Sequence, residues 1–316
     1  MTSYGACDLV VGHATDVEGA TGCTVVRGTA GPFHCAVHVV GRATGTRELA
    51  LLEPDQLVDR VDAILLAGGS AYGLDAAAGV MRWLEEHGRG FAVGAGVVPI
   101  VPGAVVFDLA PLGRFDARPT PAMGHAACAA AGPDPAEGSI GAGTGATVGK
   151  VAGAERSMKG GLGIGAADAG AVVVRALAVV NALGDVRDAT GRIVAGARDE
   201  TGRFLDSVAH IALGVDNRDR FDARAGRNTT LCVVSTNVAM DRVQLGALAR
   251  AASAALYRRI TPVGTAFDGD IIFATSPVEG GVAAGMAQVE ALAVRALETA
   301  IERGVRTRAP GDICPS

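Results

Sequence analysis

Asn228 and Thr229 open the β-branched, apolar run Arg227-Asn-Thr-Thr-Leu-Cys-Val-Val-Ser-Thr-Asn237, and a chain cut between them would begin with a threonine. A threonine hydroxyl is a weak nucleophile until a base takes its proton. The α-amine of the same residue, with a pKa of roughly 7.7–8.0, is such a base once it is free. In an uncut chain that nitrogen is an amide and cannot serve. The same residues also read as the plain start of a strand, since β-branched side chains suit a pleated sheet.

Asp268-Gly269-Asp270 carries a second chemical possibility. In extended backbone, residues i and i+2 point to one side, so both carboxylates can face one site while Gly269 admits another backbone. Acids so placed can hold a protonated amine or move a proton. The alternative is an Asp-Gly turn with both side chains in water, which the flanking Phe267 and Ile271-Ile272-Phe273 disfavour. Lys150 ends the glycine-rich loop 141–150, and Asn181 ends an expected strand. An ammonium or amide aimed at a developing oxyanion stabilises acyl transfer, and one lost donor costs roughly 2.7–4 kcal/mol. Their plain alternatives are a solvated lysine and a strand-capping asparagine.

No cofactor or metal is expected. The six histidines form neither HExxH nor a close pair. In the loop ending Gly149-Lys150 the first glycine of a phosphate loop falls on Thr144, and Val151 follows the lysine. Gly161-Leu-Gly-Ile-Gly-Ala166 fits a loose dinucleotide pattern, but Glu155-Arg-Ser-Met-Lys159 before it is not a strand.

The elements that must position these residues alternate between strand and helix. Residues 61–67 read as a buried strand, and Gly68-Gly69-Ser70 turns into a helix from Gly73 to His87 with the stripe Leu74, Ala77, Ala78, Met81 and Leu84 opposite Glu85 and Glu86. Residues 97–107, with Pro99 and Pro102, read as an edge or irregular segment. A helix follows around 122–131. Residues 171–180 read as a strand, Asp185 to Arg192 as a hairpin and 231–236 as a central strand. Two helices close the pattern, 241–259 capped by Asp241 and 281–303 stopped by Gly304. The second has small residues on more than one face, suited to its own sheet or to another copy.

Composition fits one large domain: 49% hydrophobic but only 4% aromatic, so the core is Ala, Val, Leu and Ile. The 45 glycines occur in short loops rather than at a fixed period. A net charge of −5, with no basic cluster interleaved with aromatics, argues against nucleic acid as partner. There is no signal-peptide pattern and no apolar stretch of the roughly 18 residues a membrane span needs, so no membrane partner and a cytoplasmic location are expected. Cys7, Cys23, Cys35, Cys128, Cys232 and Cys314 include no CxxC pair, and most are expected to be reduced core residues.

Gly68-Gly-Ser-Ala-Tyr-Gly-Leu-Asp75, Gly141-Ala-Gly-Thr-Gly-Ala-Thr-Val-Gly-Lys150, Val180-Asn-Ala-Leu-Gly-Asp185, Asn228-Thr-Thr230 and Asp268-Gly-Asp270 together resemble, in this order, the self-processing aminopeptidases and amidases. That group includes the D-aminopeptidase/esterases, the β-peptidyl aminopeptidases and the endo-acting 6-aminohexanoate-oligomer hydrolases. The last branch resembles this chain most, because it uses Thr after Asn and the Asp-Gly-Asp pair. The resemblance implies an α/β/β/α sandwich cut between Asn228 and Thr229 into residues 1–228 and 229–316. It further implies Thr229 as nucleophile, its amine as base, Asn181 as oxyanion donor, and Lys150, Asp268 and Asp270 as site residues. The substrate would be a small peptide or oligoamide, and the assembly a homo-oligomer of cleaved pairs, a tetramer or larger. One position that is Tyr in characterised members is Phe107 here, which removes a hydroxyl. Three alternatives stand beside this reading: a self-cleaving acyltransferase of the ornithine acetyltransferase type, a non-catalytic binding protein, and a nucleotide-binding oxidoreductase.

Overall fold

The computed structural model describes residues 3–214 and 228–307; Arg227 and Cys314 lie outside them. Two five-stranded sheets face each other, and helices cover both outer faces, which is the expected α/β/β/α sandwich. The strands are β1 (Leu9–Asp16), β2 (Thr21–Gly28), β3 (Phe33–Val39), β4 (Thr46–Arg47), β5 (Ala63–Ala67), β6 (Gly103–Val105), β7 (Gly161–Ala169), β8 (Val172–Asn181), β9 (Thr229–Thr236) and β10 (Ile271–Pro277). The first sheet runs β1-β2-β5-β6-β4 and the second β7-β8-β9-β10-β3. Helices α1 (Ala76–Glu86) and α2 (Pro121–Ala129) cover the first sheet, and α3 (Arg242–Arg259) and α4 (Met286–Arg306) the second.

Alternation along each strand divides the core. Leu177, Val179, Leu231, Val233, Ile271 and Phe273 meet Leu9, Val11, Val26, Ile64 and Leu66 between the sheets. Their neighbours Ala178, Val180, Cys232, Val234 and Ile272 pack against α3 and α4. By this period of two, Thr229 and Asn181 belong to the inner face, whereas Thr230, Asp268 and Asp270 belong to the helix side. All eight residues of β9 are buried, as a central strand between the other sheet and a helical layer requires.

The strand at 61–67, the helix at 122–131 and the hairpin built on Asp185 are present within a few residues of expectation. Asp241 caps α3 through a capping box: its carboxylate accepts from Gln244 N at 2.8 Å, and Asp241 N donates to Gln244 Oε1 at 3.0 Å. Asp241→Ala should cost about 1 kcal/mol, read as a lower urea midpoint with unchanged slope. An unchanged midpoint would show that the cap adds nothing in this fold.

Four expectations need correction. Residues 70–75 wind as a 3-10 turn, so α1 starts later and its buried face is Ala76, Ala77, Val80, Trp83 and Leu84; Ala78 is exposed. Part of 97–107 is not an edge, since β6 lies buried between β5 and β4. The last helix starts at Met286 rather than 281 and runs through Gly304 to Arg306. Finally, Gly161-Leu-Gly-Ile-Gly-Ala166 opens strand β7, and its glycines have a packing role. A Cβ on Gly161, Gly163 or Gly165 would come within 2.7, 2.2 or 1.9 Å of the α4 backbone at Gly304, Ala300 and Ala296. Gly304 therefore continues the helix, because α4 must lie this close to β7.

The five described cysteines, Cys7, Cys23, Cys35, Cys128 and Cys232, are buried free thiols. Burial pushes the thiols of Cys7 and Cys23 up to about 12. Among the described residues no helix is long and apolar enough to cross a membrane.

Candidate active site

Antiparallel pairing of β8 with β9 sets Asn181 directly opposite Thr229. Both are buried at the end of their strands. The Thr229 hydroxyl donates to the Asn228 carbonyl oxygen at 2.6 Å, and the Gly269 N–H donates to the same oxygen at 2.8 Å. The carbonyl before the threonine is thus held by a backbone donor with the hydroxyl beside it. Gly269 permits this approach, since a Cβ there would sit 2.7 Å from Thr229 Oγ1 and 2.6 Å from Ala43 O.

Asn181 is held on both ends of its amide. Its Oδ1 accepts from Thr147 N at 3.0 Å and from Lys150 Nζ at 2.8 Å, while Nδ2 donates to Phe107 O at 3.2 Å. Lys150 Nζ also donates to the Asn181 carbonyl at 2.9 Å. Phe107 therefore meets Asn181 through its carbonyl, a contact indifferent to the ring hydroxyl that a tyrosine would add.

Both acids are buried beside the start of β9. Asp270 accepts from Thr230 N at 2.6 Å and Gly264 N at 3.2 Å. Asp268 accepts from Thr265 N at 2.9 Å and Thr265 Oγ1 at 2.7 Å. Burial holds both carboxyls above their ordinary range; for Asp270 the charge of Asp268 adds to it. These donors and, for Asp268, the Lys150 charge pull the other way. Asp270 reaches the Thr229–Thr230 backbone through the Thr230 N–H, whereas the Asp268 carboxylate holds Thr265.

The structure thus gathers Asn228, Thr229, Lys150, Asn181, Asp268 and Asp270 at one place. Sequence reasoning missed Thr147, Thr265 and Asp108. Thr147 was visible as one residue of the glycine-rich loop, whereas Asp108 carried no signal. Asp108 is fully buried, with Oδ1 accepting from Gly69 N at 2.6 Å and Oδ2 from Thr21 Oγ1 at 2.7 Å. Burial pushes its carboxyl up to about 6 against those donors, from roughly 3.9 in an unfolded chain. Between these values the folded state keeps a proton the unfolded state has released, so this group's contribution to stability falls as pH rises. Asp108→Asn should therefore gain on its parent by up to roughly 1.4 kcal/mol per pH unit between about pH 4 and 6. Urea unfolding of both proteins on a Thr229→Ala background measures the gap, and a gap independent of pH contradicts the assignment.

Among the described residues no group of three or more His, Cys, Asp or Glu is arranged to hold a metal ion. A family model described as peptidase family S58 matches residues 7–308. The chain belongs to this family. An uncharacterized aminopeptidase of Mycobacterium tuberculosis is 43% identical over 315 residues, covering 92% of this chain and 87% of the relative. A 6-aminohexanoate-oligomer endohydrolase of Paenarthrobacter ureafaciens is 33% identical, covering 92% of this chain and 81% of its own. The solved L-aminopeptidase D-Ala-esterase/amidase of Ochrobactrum anthropi, described as a variant of the Ntn hydrolase fold, matches with a TM-score of 0.66 at 19% identity, covering 93% of this chain and 82% of that one. A Burkholderia sp. β-aminopeptidase matches with a TM-score of 0.65 at 21% identity, covering 93% and 82%. The two structures give the fold. Family membership makes the chain a hydrolase of peptide or amide bonds.

Proposed function

We propose that the chain cuts itself between Asn228 and Thr229 and that the freed Thr229 then hydrolyses amide bonds in short peptides or linear aliphatic oligoamides. The arrangement around one carbonyl carries this reading: Asn228 O receives Gly269 N–H at 2.8 Å and the Thr229 hydroxyl at 2.6 Å. In the first act Thr229 Oγ1 attacks the Asn228 carbonyl carbon. The C–N bond breaks, the nitrogen takes the hydroxyl proton as the α-amine, and the acyl group rests on oxygen as an ester. Water hydrolyses that ester and releases the Asn228 carboxylate. In the second act the amine takes the Thr229 proton as oxygen attacks a substrate amide. An acyl-enzyme forms, the leaving amine carries the proton away, and water regenerates Thr229. In this reading Asn181 and Lys150 supply the oxyanion donors, and Asp270 orients the Thr229–Thr230 backbone through the Thr230 N–H.

The endohydrolase relative and the Asn-Thr and Asp-Gly-Asp motifs favour the oligoamide branch. Intact-mass spectrometry with N-terminal sequencing of the smaller chain tests the first act: two species should meet at Asn228/Thr229. A single chain, stable for days at neutral pH, would end this reading. Release of amine from 6-aminohexanoate oligomers, set against aminoacyl amides, tests the second act.

A further inference from the structure

Asp108 is a buried carboxylate that the two acts above leave without a task, yet two other loops close on its side chain. A Cβ on Gly68 would lie 1.9 Å from Asp108 Oδ2, one on Gly145 2.6 Å from its Cβ, and one on Gly113 1.9 Å from its carbonyl oxygen. Glycines of the 68–70 turn and the glycine-rich loop thus make room for this one side chain, and Gly113 makes room for its backbone carbonyl. Opposite it, Lys159 Nζ donates to Gly143 O at 2.9 Å, Gly160 O at 3.0 Å and Ala146 O at 3.2 Å. Its positive charge also acts on Asp108. The glycine-rich loop is therefore tied by the Lys159 ammonium through its carbonyls and packed against Asp108 at Gly145.

Both ends of the Asn181 amide depend on these pins. The Phe107 carbonyl that accepts from Asn181 Nδ2 belongs to the peptide bond preceding Asp108. The Thr147 N–H and Lys150 Nζ that meet Asn181 Oδ1 belong to the pinned loop. We infer that Asp108, with Lys159 across the glycine-rich loop, is a positioning residue that fixes the Asn181 amide opposite Thr229. The inference rests on the proposed role of Asn181 and assigns the precision of its placement to residues outside the reacting centre.

The test uses the purified full chain as wild type, Asp108→Asn, Thr21→Val, Lys159→Gln and Lys159→Arg. Chain lengths are read by intact mass, active sites by the burst from a 4-nitrophenyl ester, and kcat and KM per titrated site on a short-peptide 4-nitroanilide. Melting temperature is recorded for each protein. A displaced amide should lower kcat per titrated site roughly ten- to hundredfold in Asp108→Asn, with KM within about twofold. Thr21→Val, which removes one hydrogen bond to the carboxylate, should lower kcat about threefold. Lys159→Arg should retain more kcat than Lys159→Gln. A merely structural role would change melting temperature or the titratable fraction and leave kcat per site unchanged, and that result overturns the inference. If Asp108→Asn yields no folded protein, Thr21→Val and the Lys159 pair decide. A wild type that is neither cut nor titrated sinks the underlying reading as well; a cut, titrated wild type with unchanged variants sinks this inference alone.

Discussion

Thr229→Ala protein should accumulate as one uncut chain and release no amine from any substrate, a loss of at least roughly 10⁴-fold. The substitution removes the hydroxyl that donates to the Asn228 carbonyl and leaves the Gly269 N–H contact in place. The fold should persist, because the hydroxyl's one hydrogen bond to a neighbouring backbone oxygen contributes only about 1 kcal/mol. Thr229→Ser keeps the oxygen and should mature into two chains. A Thr229→Ala protein that still cuts itself, or that hydrolyses amides once cut by other means, would remove Thr229 from the chemistry.

The second large effect is on stability, at the seam between α4 and β7. Ala296, Ala300 and Gly304, one per helical turn, lie against Gly161, Gly163 and Gly165 on alternate positions of the strand. A Cβ on Gly163 would stand 2.2 Å from both Ala300 O and Gly304 N. These are backbone atoms that yield only if the whole helix moves. Gly163→Val should therefore cost about 3 kcal/mol or more, a large part of the 5–15 kcal/mol by which such a protein is folded. Gly246 on α3 is the control, since a Cβ there meets nothing within 4 Å. Gly246→Ala should stabilise by roughly 0.5–1 kcal/mol. Equal urea midpoints for the two variants would show that α4 does not rest on those glycines.

What could be read from the sequence was what local physics decides. Asp241 and Gln244 mark the start of α3 because a capping box is closed within four residues. The β-branched run after Thr229 marks a strand for the same kind of reason. The phase of α1 was misjudged because the 3-10 turn at 70–75 delays its start, which exposes Ala78 and buries Trp83. Gly304 reads as a helix stop by every local rule, and only the approach of β7 explains why the helix continues through it. The site residues were individually visible through motif and resemblance. Their connections were not: Asn181 meets Thr229 through a ladder between strands far apart in sequence, and Asp108 joins the Gly68 turn to the glycine-rich loop, a link that no spacing within either motif announces.

The second sheet places β9 and β10, which follow Thr229, between β8 and β3, which precede it. A cut at Asn228 therefore leaves the first sheet whole in the large product but gives neither product a complete second sheet. The small chain's two strands are flanked on both sides by the large chain, joined through the β8–β9 and β10–β3 ladders, and α4 is clamped on β7. Before the cut, refolding is a reaction of one molecule with itself. After it, two separated chains must find each other, so recovery becomes concentration-dependent. On the proposed reading, self-cleavage would thus turn a one-molecule refolding equilibrium into a two-molecule one, and in dilute solution the cleaved protein would owe its persistence to the height of its unfolding barrier.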